Sequence, residues 1–233
     1  MPQCSGEPGA TPVVVAQPDR PVRRRRARDV CLGSVPHRRA DGPSAPASDG
    51  TLIVGEDADT RPVDERLLDA ELLLARVSRL VPQAGQHPRI AMFGHSRGGA
   101  TTAQVMFKHP EVVAGVDLDG SLRGEVVTGG LDQPFGLMLG REFPLDDPRL
   151  MEFLSNLRGP HPLTQLDVEH YGYTDWVVFN PEATRADPTL GAQLETSYQT
   201  GTADDLQAGR SALSTQRKFL THFMDHYLSH LGR

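Results

Sequence analysis

Short apolar runs alternate with helical patterns along most of the chain. The runs predict buried strands at residues 13–15, 51–54, 89–93, 112–118, 135–139 and 163–168. Helices are predicted at 97–108, at 148–157, from Leu206 to Leu231, and where apolar residues recur at Leu67, Leu68, Leu72, Leu73 and Val77. Residues 55–60 are predicted to be a polar turn, and residues 82–88 break the first helix. Continuous apolar strands separated by helices predict an α/β fold with a mostly parallel sheet and helices on both faces.

Residues 16–48 depart from this alternation, because they show no apolar period of a strand or a helix. Residues 20–39 hold eight arginines and a single acid, Asp29, so this stretch carries +7 and the rest of the chain −13 of the total −6. We therefore expect two regions. Residues 1–50 would be an atypical Pro/Arg-rich segment, disordered apart from the strand at 13–15, and residues 51–233 the folded domain.

Three interpretations of the arginine-rich stretch stay open. It is an out-of-frame translation product, a rebuilt loop, or a basic arm for an acidic partner or membrane surface. The first interpretation rests on two features of the stretch between Val15 and Thr51. It has roughly the number of residues that a loop, a helix and a strand need, but it lacks their apolar pattern. The same interpretation also rests on the use of 22 arginines but only two lysines, Lys108 and Lys218, which suits a GC-rich gene.

Composition and charge exclude several classes of protein. No apolar run approaches the roughly 18 residues of a membrane span, and the polar start predicts no signal peptide, hence a cytoplasmic protein as written, with secretion of a longer form left open. Two cysteines, Cys4 and Cys31, suit neither a disulfide framework nor a cysteine-based metal site. The net negative charge argues against nucleic acid as the main partner. We expect no metal and no organic cofactor, and the oligomeric state is not indicated.

The most informative motif is the pentapeptide GHSRG at residues 94–98, a G-x-S-x-G sequence. It follows a short apolar strand and opens a helix, which is the context of a nucleophile elbow. Small flanking residues allow the tight turn that holds Ser96 at the carboxyl end of the sheet. The backbone N–H of Arg97, at the helix start, would be one oxyanion donor. The structural alternative is a glycine-rich helix start that Ser96 merely caps.

A serine nucleophile needs a histidine base, and the histidine needs an acid that orients it. In this architecture the chain order is serine, acid, histidine. His170 is the histidine directly after the last predicted strand, and it is our candidate base. Two acids remain open, because Asp119 ends the strand after the elbow helix and Glu142 follows the next strand.

Four segments of the chain resemble the platelet-activating-factor acetylhydrolase-like group of bacterial lipases and esterases, within the α/β-hydrolases. They are residues 94–101 (GHSRGGAT), 114–121 (AGVDLDGS), 131–135 (LDQPF) and 169–175 (EHYGYTD). The resemblance implies an α/β-hydrolase fold and hydrolysis of small-molecule or lipid carboxylic esters through an acyl-enzyme. It also implies Ser96, Asp119 and His170 as the catalytic residues, which favours Asp119 over Glu142.

The beginning of the chain departs from this family. After its early strand the family carries a small-residue loop that gives the second oxyanion donor, whereas residues 16–20 here are AQPDR, without glycine. The fold is therefore expected to be incomplete on its N-terminal side. Losing one oxyanion donor costs roughly 10²–10³ in rate. A catalytically impaired or non-catalytic α/β-hydrolase relative is accordingly the alternative function, and an anionic-surface binder acting through residues 20–39 is a third.

Overall fold

A computed structural model describes residues 13–17, 44–46, 52–54, 57–80, 89–202 and 205–230 of the chain. Most of the predicted N-terminal segment, with its arginine-rich stretch, lies outside these residues, as does the predicted break at 82–88. The elements in chain order are β1 (Val13–Gln17), β2 (Ser44–Pro46), β3 (Leu52–Val54), α1 (Asp57–Leu74), α2 (Val77–Leu80), β4 (Arg89–His95), α3 (Arg97–Lys108), β5 (Val112–Leu118), α4 (Glu125–Gly129), β6 (Phe135–Gly140), α5 (Pro148–Asn156), β7 (Leu163–Leu166), a 3-10 turn (His170–Tyr173), α6 (Trp176–Ala186), α7 (Pro188–Ser197) and α8 (Leu206–His230).

The main sheet has five strands in the order β1-β4-β5-β6-β7. Strands β4 to β7 are parallel to one another, as predicted, whereas β1 runs antiparallel to β4. The short strands β2 and β3 pair only with each other, in a separate two-stranded ribbon. Within the described residues, β1 is thus an edge strand. The predicted catalytic positions all follow strands of the parallel part.

Both faces of the sheet are covered, which confirms the prediction from the continuous apolar strands. Alternate residues of β4 pack against different helices on the two faces of the sheet. Ile90 and Met92 pack with buried residues of α1, α3 and α5, and Ala91 packs with buried residues of α8. The central strands of the parallel sheet therefore lie between two apolar layers, whereas the outer strand β7 is partly exposed. Polar side chains at the carboxyl ends of these strands are therefore attached to a rigid sheet.

The first helix differs from its prediction. It begins at Asp57, so the predicted polar turn is wrong for residues 57–60. Leu67 is buried, but Leu68 and Leu72 are 59% and 49% exposed, although the same apolar pattern includes all three. An apolar residue in a helical pattern need not be buried, because much of a folded protein's surface is apolar.

Helices α4, α6 and α7 have no counterpart in the predicted elements. Helix α6 contains Pro181 within it, and α7 begins with Pro188. At the start of α7 the Asp187 side chain accepts hydrogen bonds from the backbone N–H groups of Thr189 and Leu190. Asp-Pro is a helix-start signal as well as a turn signal. Residues 176–197, which contain both prolines, had been assigned no element from the sequence.

Candidate active site

Ser96 occupies a sharp turn between β4 and α3, as the motif predicts. Its φ of 57° lies in the left-handed region, which is strained for a residue with a side chain. The flanking glycines are required by space, because a Cβ on Gly94 would overlap the backbone of Gly98 and a Cβ on Gly99 would overlap the Asp117 carboxylate. The Ser96 N–H donates to the Leu118 carbonyl at 2.8 Å. Neighbouring strand β5 thus holds the turn.

The Ser96 hydroxyl points to the imidazole of His170. Ser96 makes no side-chain capping bond to α3, so the structural alternative of a mere helix cap does not describe it. Its Oγ lies 2.9 Å from His170 Nε2, and His170 Nδ1 lies 2.7 Å from Asp119 Oδ2. An imidazole that donates its Nδ1–H to Asp119 leaves Nε2 able to accept the serine proton. The three residues predicted from sequence are therefore brought into one hydrogen-bonded chain.

Asp119 is fixed from the neighbouring strand. Its N–H donates to the Met138 carbonyl at 2.8 Å, and its Oδ1 accepts the N–H of Gly140 at 2.6 Å. The side chain is only 6% exposed. Like Ser96, Asp119 has a positive φ, of 58°, which turns its side chain away from the direction that strand alternation would give it. One carboxylate oxygen is thus held by backbone and the other faces His170.

Glu142, the alternative acid, lines the same cleft as Ser96 and His170 but is not among the described contacts of the imidazole. Its side chain is 76% exposed and contacts Arg141, with 3.5 Å between Oε1 and Nε. The described hydrogen bonds and ion pairs of His170 include Asp119 and not Glu142. The alternative acid is therefore wrong as a partner of the imidazole. The physical reason is that Glu142 follows β6 in the exposed turn 141–142, beyond the strand end that holds Asp119.

His95, within the motif, is the histidine whose importance the sequence did not reveal. It is 4% exposed, and its Nε2 lies 2.7 Å from the backbone carbonyl of His170. Because a carbonyl only accepts, Nε2 carries the hydrogen. Burial, then the nearby His170, lower the pKa of His95 to about 4. A neutral imidazole thus links the last residue of β4 to the backbone of the candidate base. Its place next to Ser96 was the signal available in the sequence.

Asp117 is a second buried group that sequence reasoning left without a role. Its side chain is fully buried below the elbow, and its Oδ1 accepts the N–H of Gly120 at 2.9 Å. Its Oδ2 has no hydrogen-bond partner among the described residues. Burial, and then the nearby Asp119, raise the pKa of Asp117 well above the usual range. These conditions favour the protonated form of Asp117.

A cleft of about 390 Å³ opens in front of Ser96 and His170. Its apolar wall includes Val63 of α1, Ala100 of α3 and Phe143, and its polar wall includes Arg97, Ser121 and Arg123. The N–H of Arg97 belongs to the first residue of α3, where helix N–H groups have no partner inside the helix. This N–H can therefore donate a hydrogen bond to an oxygen that becomes negatively charged next to Ser96.

The direction of β1 bears on the second oxyanion donor. Val13 pairs with Phe93 and Gln17 with Arg89. The chain therefore leaves β1 at the amino end of β4, whereas Ser96 follows the carboxyl end. A loop that directly follows β1 begins at the edge of the sheet opposite the candidate nucleophile. The absence of a second oxyanion donor after this strand stays a prediction, because residues 18–20 lie outside the described part.

No helix in the described part of the chain is long and apolar enough to cross a bilayer. The same residues contain no group of three or more His, Cys, Asp or Glu side chains arranged to hold a metal ion. The predicted cytoplasmic location stays a prediction.

The fold and the site agree with two partial similarities to known proteins. Over 68 residues, 29% of its length, the chain is 37% identical to the protein of Arthroderma benhamiae named "Probable 1-alkyl-2-acetylglycerophosphocholine esterase", and the match spans 16% of that protein. A solved ferulic acid esterase from Streptomyces cinnamoneus superposes with a TM-score of 0.58 at 23% identity, covering 82% of this chain and 56% of that esterase. No protein-family model matches the chain.

The chain has the α/β-hydrolase fold, as predicted from its sequence. The parallel sheet with helices on both faces defines this class, and the likeness to the solved esterase agrees with it. The predicted resemblance to platelet-activating-factor acetylhydrolase-like esterases is confirmed within the matched 68 residues. The chain spans little more than half the length of the solved esterase, and its match covers a smaller part of the first relative.

Proposed function

We propose that the protein is a serine carboxylic-ester hydrolase. One observation carries the proposal: a single imidazole, that of His170, contacts Ser96 Oγ at 2.9 Å and Asp119 Oδ2 at 2.7 Å. This arrangement is what a serine nucleophile, its general base and an orienting acid require. The fold alone would not support a function, because the same fold hosts many chemistries. Both similar proteins carry the word esterase in their names, which favours an ester over an amide substrate.

The mechanism uses these three side chains and one backbone donor. Ser96 Oγ attacks the ester carbonyl carbon while its proton passes to His170 Nε2. Asp119 accepts the Nδ1–H hydrogen bond and stabilises the imidazolium, and the N–H of Arg97 stabilises the oxyanion. Collapse expels the alcohol, which takes the proton from His170 and leaves an acyl ester on Ser96. Water, deprotonated by His170, then releases the carboxylic acid and restores Ser96.

The finer substrate class is a lipid or other small-molecule ester with a short acyl group. The resemblance to platelet-activating-factor acetylhydrolase-like enzymes supports it, as does the name of the Arthroderma benhamiae relative. The cleft in front of Ser96 has a volume of about 390 Å³, which suits a small acyl group better than a long chain. Comparing the hydrolysis of p-nitrophenyl acetate, butyrate and palmitate tests this part. Palmitate as the preferred substrate would contradict it.

The serine mechanism is tested by hydrolysis of p-nitrophenyl acetate. Ser96→Ala should lower kcat by several orders of magnitude, since removal of a triad member leaves only residual catalysis. Ser121→Ala is the matched control, because Ser121 is an exposed serine that lines the same cleft. Equal rates for wild type and Ser96→Ala would reject the mechanism.

The direction of β1 favours a second candidate, a non-catalytic relative that binds esters without turning them over. The residues that directly follow β1 start from the sheet edge opposite Ser96, which favours a chain without the second oxyanion donor. Folded wild-type protein would then release no more p-nitrophenol than Ser96→Ala. Alcohol release above that background excludes this candidate.

A further inference from the structure

The backbone on both sides of His170 is bonded to a distant part of the chain. The N–H of Glu169 donates to the Thr200 carbonyl at 3.0 Å. The N–H of Tyr171 donates to the Gln199 carbonyl at 2.9 Å. The residues directly before and after the candidate base are thus held by two consecutive carbonyls. The position of the imidazole therefore depends on where these two carbonyls lie.

The carboxylate of Glu195, in the last turn of α7, accepts four hydrogen bonds, three of them from residues 199–201. Its Oε1 accepts the N–H groups of Thr200 and Gly201, each at 2.9 Å. Its Oε2 accepts the Thr200 hydroxyl at 2.8 Å and the Asn180 amide at 2.6 Å. Hydrogen bonds to a carboxylate are roughly twice as strong as those between neutral groups. Because Thr200 is fully buried, water does not readily replace the carboxylate as its acceptor.

Glu195 is itself fixed by the packing of α7 on α6. Gly191 lies one turn earlier on the same face of α7, and a Cβ there would overlap Thr184 of α6. Asn180, which donates to Glu195, lies one turn before Thr184 on α6. Two contacts, one turn apart on each helix, therefore fix how the two helices meet. This packing places the carboxylate at residues 199–201 and gives a role to two helices that the sequence did not predict.

We propose that Glu195 is a positioning residue for the base of the proposed esterase reaction. It acts through residues 199–201, which bond the main chain on both sides of His170. The inference rests on the proposed function, because positioning affects turnover only if His170 takes the serine proton. A catalytic group misplaced by about 1 Å can lose on the order of 10² in rate. Glu195 does not line the cleft in front of Ser96, so its loss should affect kcat more than KM.

Two substitutions of Glu195 test the proposal in the hydrolysis of p-nitrophenyl acetate. Glu195→Ala should lower kcat at least roughly tenfold while KM stays within about threefold. Glu195→Gln should recover at least about half of wild-type kcat, because its amide oxygen can still accept the N–H groups of Thr200 and Gly201. Its amide nitrogen can donate to Asn180 Oδ1, which has no partner among the described residues. Equal losses of kcat in the two variants, or no loss in either, would overturn the proposal.

A matched control separates positioning from a general loss of stability. Val112 is fully buried at the start of β5, at the sheet edge opposite the site. Val112→Ala should lower the free energy of unfolding but keep kcat within about twofold of wild type. Thr200→Val removes one donor of the Glu195 carboxylate and should lower kcat about threefold, even if Glu195→Ala does not fold. An equal fall of kcat in Val112→Ala, or an unchanged kcat in Thr200→Val, would overturn the proposal.

Proton NMR tests the positioning without any turnover. The Nδ1–H of His170, which is bonded to Asp119 at 2.7 Å, should give a downfield signal that is absent in His170→Ala. Glu195→Ala should shift or broaden this signal, whereas Glu195→Gln and Val112→Ala should leave it at the wild-type position. This result supports the positioning role even if wild type hydrolyses no ester. An unchanged signal in Glu195→Ala would overturn the role even if wild type is an active esterase.

Discussion

At the scale of single residues, backbone strain coincides with the candidate chemistry. Ser96 and Asp119 are the non-glycine residues with positive φ in the described part of the chain, at 57° and 58°. Such conformations cost of order 1–3 kcal/mol each and persist where the surroundings impose them. Here hydrogen bonds from β5, β6 and the glycines around the elbow impose them. Both strained residues contact the imidazole of His170.

The assignment of the acid gives a first prediction. Asp119→Asn should lower kcat by about 10⁴ with little change in KM, because the amide cannot hold the imidazole in the required tautomer. Glu142→Gln should change kcat less than about threefold, since the exposed Glu142 does not contact His170. Steady-state kinetics on p-nitrophenyl acetate measure both. A larger loss in Glu142→Gln would mean that the acid is misassigned.

His95 gives a second prediction, as a positioning residue. His95→Phe fills the buried space but loses the hydrogen bond to the His170 carbonyl, so kcat should fall about tenfold while KM stays within about twofold. His95→Gln keeps a donor near the Nε2 position and should recover most of kcat. The acidic limb of the pH–rate profile, where the base becomes protonated, should also shift in His95→Phe alone. Equal losses of kcat in both variants would argue against positioning.

The sequence predicted the three residues of the hydrogen-bonded chain but not their supporting residues. Ser96 follows from a local motif and His170 from the order of strands, whereas the family resemblance favoured Asp119 over Glu142. His95 and Asp117 act through contacts with other strands, so their burial and partners depend on how β4, β5 and the turn after β7 meet. Glu142 could not be separated from Asp119 by position, since both follow neighbouring strands.

At the scale of elements, the elbow strand and helix were predictable and the first helix was less so. Strand β4 and helix α3 have glycine boundaries and continuous apolar runs, which specify one arrangement. Helix α1 has apolar residues around more of its surface. Its buried face was therefore fixed only by packing on α3, a contact between residues far apart in the chain.

Adjacent leucines of α1 give a third prediction. Leu67 is 6% exposed within the core and Leu68 is 59% exposed. Leu67→Ala should lower the free energy of unfolding by about 2–4 kcal/mol, because it leaves a cavity. Leu68→Ala, with the same change in chemistry, should lower it by less than about 0.5 kcal/mol. Urea unfolding followed by circular dichroism measures both. Similar losses would mean that the described packing of α1 is wrong.

At the scale of the whole molecule, the parallel sheet and a strand at 13–15 were predicted, whereas the direction of this strand and the strand β2 were not. Strand β1 extends to Gln17, and Ser44–Pro46 forms a strand where no pattern indicated one. The antiparallel direction of β1 was not visible in its three-valine run, because a continuous run of apolar residues carries no sign of strand direction. The division at residue 50 and the out-of-frame interpretation stay predictions that the nucleotide sequence would test.

Acid stability gives a fourth prediction for the molecule as a whole. His95 has a pKa of about 4 in the folded protein and about 6.5 when unfolded, so the unfolded chain binds more protons between these values. Stability should therefore fall as pH decreases from 6.5 towards 4, by up to about 3 kcal/mol from this group. The difference in unfolding free energy between wild type and His95→Phe isolates this contribution, since both proteins contain Asp117. A pH-independent difference in unfolding free energy would contradict the burial of a neutral His95.

Covalent labelling of Ser96 by a fluorophosphonate tests the central claim most directly. The reagent should add once per chain, and peptide mapping by mass spectrometry should find the adduct on Ser96. Labelling should disappear in Ser96→Ala, persist in Ser121→Ala and slow by more than about 10³ in His170→Ala, because the hydroxyl then lacks its base. Folded wild-type protein that stays unlabelled, or that carries the adduct on another residue, would contradict a serine nucleophile at the elbow.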